Sequence, residues 1–184
     1  MKEQRRLVFA GPVGSGKTTA IRALSDEPII STEALISGNN KDADKRHTTV
    51  ALDFGVIHLD NKTNLQLYGT PGHQHFDFMW DIAARNSIGL LLFLDGRRSN
   101  LLEDLTVFTQ AFRQLLQAGG FAVGITHADK VQNLELLREQ INHEIERLQL
   151  VAPVLSIDPR QRKEVVKLIK ALLYTLDPSL IKVS

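Results

Sequence analysis

Short apolar runs alternate with amphipathic stretches along most of the chain, and their lengths separate strands from helices. Residues 7–10 (LVFA) read as a strand, and the glycine-rich loop behind it leads into a helix over residues 17–24. Residues 49–59 and 64–68 show strand alternation on either side of the polar turn Asp60-Asn61-Lys62, which predicts an antiparallel hairpin. Residues 89–94 (GLLLFL), 121–125 (FAVGI) and 151–157 are almost unbroken in apolar character, as strands buried on both faces of a parallel sheet are. Helical patterns occupy the intervals at residues 101–118, 134–148 and 160–176. The alternation predicts an open, mostly parallel α/β sheet with helices on both faces. One stretch breaks the rhythm. Residues 26–48 are largely polar (SGNNKDADKRH) apart from a short patch at residues 29–36, and such a length inside a compact domain predicts a mobile functional loop. No linker, repeat or low-complexity tract divides the chain, so residues 1–184 are expected to form a single domain.

The loop after the first strand carries the clearest chemistry. Gly11-Pro12-Val13-Gly14-Ser15-Gly16-Lys17-Thr18 satisfies GxxxxGK[ST] between a strand and a helix, the setting a phosphate-binding loop requires. Glycines let backbone N–H groups of Gly11, Val13, Gly14, Ser15, Gly16 and the first helical residues, Thr19 included, turn toward phosphate oxygens. The helix dipole assists, Lys17 reaches the β and γ oxygens, and the Thr18 hydroxyl ligates Mg2+.

Composition narrows the surroundings. Lys plus Arg (22) nearly balances Asp plus Glu (21), so no broad positive field is available for a nucleic-acid backbone or an anionic membrane. The absence of cysteine excludes disulfides, thiolate metal sites and prenylation. Lys2 after the initiator methionine is incompatible with myristoylation, and the longest apolar run is too short to span a bilayer. The expected protein is cytoplasmic, with no stable membrane anchor and no nucleic-acid partner.

The choice of base must come from elsewhere. Thr126-His127-Ala128-Asp129 follows the strand ending at Ile125, and a carboxylate there can accept hydrogen bonds from guanine N1–H and its 2-amino group. Adenine offers neither donor, so the carboxylate would be left unpaired against it. Taken alone, Asp129 could also simply open a loop or cap the next helix. His127 stands where a lysine stem usually packs over the base, and an imidazole can stack in the same way.

Taken together, GPVGSGKTT, TTVALDFG (residues 48–55), LYGTPGHQHFDFMWD (residues 67–81) and LFLDGRR give the chain its family likeness. The sequence resembles the bacterial MglA-like small GTPases of the Ras superfamily, the group encoded beside roadblock-domain proteins and related to Arf and the signal-recognition-particle receptor β subunit. The resemblance implies a Ras-like P-loop fold of six strands and about five helices. It also implies slow Mg2+-dependent hydrolysis of GTP in signalling or polarity control, GTP and GDP as ligands, and a roadblock-domain activator. Thr49, or its neighbour Thr48, becomes the residue that closes the metal shell when the γ-phosphate is present. Gly69-Thr70-Pro71-Gly72 corresponds to the second switch, with the Gly72 N–H on the γ-phosphate.

Three departures mark the site. Gly69 stands where an aspartate behind the magnesium shell is usual, leaving Asp53 or Asp95 to supply the carboxylate. His73 occupies the place of a water-orienting glutamine, and a neutral imidazole can accept a hydrogen bond from water. His73 and His75 lack a nearby third ligand for a zinc site. In the loop Asp158-Pro159-Arg160, expected to close over the base, Pro159 lacks the N–H that usually meets guanine O6, unless Arg160 substitutes. Arg46, Arg97 and Arg98 are candidates for an internal arginine finger or ordinary surface charge. Phe76 and Trp80 are the better interface candidates in the apolar cluster after the second switch. A P-loop kinase or ATPase, and a degenerate binding module without hydrolysis, remain as rival readings.

Overall fold

The computed structural model describes residues 3–36, 48–59, 62–72 and 77–177, with the side chains of residues 3, 32–36, 48–51 and 77–78 left aside. The chain runs β1 (Glu3–Ala10), α1 (Lys17–Leu24), β2 (Ile30–Ile36), β3 (Thr48–His58), β4 (Thr63–Gly69), α2 (Asp77–Ala84) and β5 (Ser87–Asp95). It continues through α3 (Leu101–Ala111), α4 (Arg113–Ala118), β6 (Gly120–Thr126), a 3-10 turn (Ala128–Lys130), α5 (Leu134–Arg147), β7 (Val154–Ser156) and α6 (Arg162–Leu176). The seven strands form one sheet in the order β2-β3-β4-β1-β5-β6-β7. Pairing is parallel from β4 through β1 and β5 to β7, and antiparallel across β2, β3 and β4.

The apolar runs of the central strands divide between the two faces by the two-residue period of a strand. Leu7, Phe9, Leu91 and Phe93 face α1 and α6, where they meet Ile21, Leu24, Val165, Leu168 and Leu172. Val8, Ala10, Leu90, Leu92 and Leu94 face the opposite way, against Trp80, Leu105, Phe108, Ile141 and Ile145. Each fully buried Leu or Phe contributes about 1.5–3 kcal/mol by leaving water. Two cores sharing one sheet therefore hold the central strands rigid, and their carboxyl ends carry the loops where an open α/β sheet binds ligands.

Three elements depart from the sequence-based expectation. Six strands and a long loop were expected, yet residues 30–36 form an edge strand paired in full register with β3. Its run is short and polar residues interrupt it at Ser31, Thr32 and Glu33, as suits an edge strand with only one neighbour. Residues 37–47, with Arg46, lie outside the described residues. The helix expected over residues 101–118 is broken at Phe112, whose ring is buried and stacks on Trp80 at 5.8 Å. The strand expected from residue 151 begins only at Val154, after Pro153, which lacks a backbone donor but whose carbonyl accepts from Val123 N–H at 2.9 Å.

Candidate functional site

The phosphate loop, residues 126–129 and the loop 158–160 gather at the carboxyl edge of the sheet. The phosphate loop leaves β1 with Gly11 at φ 140°, Gly14 at φ 78° and Gly16 at φ 96°, conformations that favour glycine. A Cβ at Gly11 would lie 2.2 Å from the Phe93 carbonyl oxygen, and one at Gly16 would lie 2.7 Å from Pro159 Cγ. The loop is thus pressed between β5 and the loop after β7. Val13 projects outward, whereas the Ser15 side chain is buried and its backbone N–H donates to the Pro12 carbonyl at 3.3 Å.

Lys17 opens α1 and is only 8% exposed. Its ammonium donates to the carbonyls of Gly11 at 2.7 Å and Pro12 at 2.8 Å, which uses two of its three donors. Burial lowers its pKa to about 8, a shift partly offset by the charge of Asp53. The cation is therefore held at the loop's mouth by main-chain oxygens and one carboxylate.

That carboxylate fills the space left open by Gly69. Asp53 on β3 lies directly opposite Gly69 on β4, and it is buried. One oxygen accepts from the Thr18 hydroxyl and the other from the Ser31 hydroxyl at 2.6 Å. A Cβ on residue 69 would lie 3.0 Å from Asp53 Cβ and 2.7 Å from Ile21 Cδ1. Glycine on β4 thus makes room for an acid delivered from the neighbouring strand. Asp95, the other candidate, is engaged elsewhere: Arg97 donates to it at 2.7–3.0 Å, and His127 Nδ1 lies 3.3 Å away. Burial pushes the Asp95 carboxyl up, but Arg97 hydrogen bonds and the charges of His127 and Arg97 outweigh it and hold it below its usual range. Arg98 is likewise paired with Asp104.

On the other side of the phosphate loop, β6 ends at Thr126, whose buried hydroxyl donates to the Leu94 carbonyl at 3.3 Å. His127 follows in the left-handed region at φ 53°, half-buried against Asp95 and Thr126. Asp129 is 69% exposed and paired with Lys130 at 3.1 Å, whose hydrogen bond keeps its carboxyl below the ordinary range. Asp158 accepts from both the backbone N–H and the guanidinium of Arg160, so that N–H is already used by a carboxylate. A cleft of about 740 Å³ joins these parts: Gly14, Gly16 and Thr19 line one end, His127, Ala128, Asp129 and Lys130 another, and Asp158, Pro159 and Arg160 close the side.

The turn at residues 69–72 runs beside the phosphate loop. Thr70 is buried and its N–H donates to the Phe9 carbonyl at 2.9 Å. Gly72 follows so closely on the phosphate loop that a Cβ would lie 2.4 Å from Val13 N. His73, His75 and Phe76 lie outside the described residues. The backbone of Thr49 is in β3 opposite Leu35, roughly 13 Å along the strand from Asp53 at about 3.3 Å per residue; its side chain, and that of Thr48, is outside the described residues. Trp80, expected as an exposed interface residue, is instead 3% exposed in the core. Among the described residues no three His, Cys, Asp or Glu side chains converge on a metal position. No helix among them is long and apolar enough to cross a membrane. Ser31 was missed from sequence because its partner Asp53 is 22 residues away and no motif links them.

The architecture is that of a small GTPase: a mostly parallel seven-stranded sheet with helices on both faces and a phosphate loop after β1. The structure of the Arl6 BBS3 small GTPase from Trypanosoma brucei, solved with the nucleotide analogue GppNp, superposes with a TM-score of 0.68 at 13% identity, covering 95% of this chain and 98% of that one. Bacterial selenocysteine-specific elongation factor EF-Sec superposes with a TM-score of 0.62 at 22% identity over 95% of this chain. In sequence the chain is similar to the uncharacterized protein MJ1339 of Methanocaldococcus jannaschii (28% identical over 103 residues, 56% of this chain). It is similar also to intraflagellar transport protein 22 of Chlamydomonas reinhardtii (25% over 109 residues, 59% of this chain). The matches span 58% and 53% of those relatives' lengths and 29% of the elongation factor. No family model matches the chain.

Proposed function

We propose that the chain is a guanine-nucleotide switch of the MglA-like branch, cytoplasmic, binding GTP with Mg2+ and hydrolysing it slowly. The observation that carries this reading is the single cleft shared by the phosphate loop, Asp129 and the Asp158 loop. The donor set suits magnesium, a hard ion that takes oxygen ligands and leans on substrate phosphates, because the Thr18 hydroxyl is backed by the Asp53 carboxylate. Thr18 would hold the ion, which when bound neutralises charge on the phosphate oxygens; Thr49, roughly 13 Å along β3 from Asp53, would complete the set only once that strand shifts toward the phosphate loop. The protein's own work is to wrap the phosphates with backbone N–H groups, place Lys17 on the terminal oxygens and bring Gly72 against them. His73 orients the attacking water. Turnover is slow because Arg97 and Arg98 are committed to Asp95 and Asp104 and lend no charge to the transferring phosphoryl. A roadblock-domain protein is the proposed activator. The rival binding module rests on Gly69 and Pro159; Asp53 beside Gly69 weighs against the first ground, while the Arg160 N–H, taken by Asp158, does not replace the donor that Pro159 lacks.

Asp129→Asn tests the base assignment. An amide both donates and accepts, so GDP affinity is expected to fall by about 10- to 100-fold, the value of a charged hydrogen bond. Xanthosine diphosphate, with an oxygen in place of the 2-amino group, is expected to gain. Fluorescent-nucleotide titrations of both proteins measure it, and unchanged GDP affinity in the variant would remove Asp129 from base recognition.

A further inference from the structure

Trp80 is the one tryptophan in the chain, and its indole N–H donates to the Pro71 carbonyl at 2.9 Å. Its ring is clamped by Phe108 at 4.8 Å and Phe112 at 5.8 Å, so the donor cannot swing away without opening the core. The Pro71 carbonyl belongs to the same peptide unit as the Gly72 N–H. No peptide among the described residues is cis, and in a trans unit C=O and N–H point in opposite directions. A donor fixed on the carbonyl therefore fixes the direction of the N–H. Gly72 itself has the main chain of Pro12 and Val13 against it, which puts this peptide unit at the wall of the phosphate loop.

We infer that Trp80 is a positioning residue that aims the Gly72 N–H at the terminal phosphate of a nucleoside triphosphate. This rests on the nucleotide reading above. The break between α3 and α4 falls at Phe112, whose ring stacks on the indole. Trp80→Phe keeps an aromatic ring in the pocket and removes the donor. GppNp affinity is expected to drop about fivefold while GDP affinity is unchanged, as befits one neutral hydrogen bond that matters only when the third phosphate is present. Phe112→Leu, which loosens the clamp without removing the donor, is expected to lower the melting temperature and leave the ratio of the two affinities closer to wild type. Wild-type protein binding neither nucleotide would defeat the nucleotide reading and this inference with it. Wild-type binding of both, with the same affinity ratio in Trp80→Phe, would overturn the inference alone. Should Trp80→Phe not fold, exchange of the single indole proton in wild-type protein decides: slow exchange with GppNp bound supports the assignment, and rapid exchange in that state overturns it.

Discussion

Replacing Lys17 by methionine is expected to weaken GTP and GDP binding by about a hundredfold, since charge-assisted bonds to phosphate contribute about 1.5–3 kcal/mol each. The same change has a distinct signature in the nucleotide-free protein. Burial brings the Lys17 pKa from 10.5 to about 8. Between those values the unfolded chain binds more protons than the folded one, so this group makes stability rise with pH across that window. Below pH 8 the charged ammonium is fully present in both states and its desolvation opposes folding by about 3 kcal/mol. Methionine removes that rise, at the expense of the two carbonyls that Lys17 now satisfies. Denaturation midpoints at several pH values from 7 to 10.5, for both proteins, measure the effect. A variant whose nucleotide affinity stays within about twofold of wild type would show that Lys17 does not touch phosphate.

The second large effect is expected at Asp53. Alanine there releases the Thr18 and Ser31 hydroxyls together and removes a charge that acts on Lys17. Nucleotide affinity in the presence of Mg2+ is expected to fall by about 30- to 100-fold, the loss of a charge-assisted bond plus the misplacement of Thr18. Affinity measured with the metal chelated should change far less, because the backbone cradle remains. The difference between the two conditions, followed by nucleotide release rates, separates a role behind the metal shell from general damage. Equal losses with and without Mg2+ would assign Asp53 to the stability of the β2–β3 ribbon instead.

Much of this architecture was legible in the order of residues. The phosphate loop needs particular residues at fixed spacing, and the central strands are apolar without interruption because both faces are covered. What escaped notice has physical causes. β2 is an edge strand, so its pattern is weak. The choice between Asp53 and Asp95 depends on strand register: only the pairing of Asp53 with Gly69 puts a carboxylate beside the position where the aspartate is absent. Trp80 read as an exposed anchor because hydrophobicity next to a switch is ambiguous until its hydrogen bond to Pro71 and its aromatic clamp are seen. Arg97 and Arg98 likewise stood open between an arginine finger and surface charge until their carboxylates were placed beside them.

The most direct test is a calorimetric titration of nucleotide-stripped protein with GDP and with ADP in the presence of Mg2+. GDP is expected to bind with at least about a hundredfold greater affinity, the discrimination a carboxylate achieves when the wrong base leaves it unpaired. ADP binding as tightly as GDP, or heat from neither, would contradict the guanine-nucleotide switch.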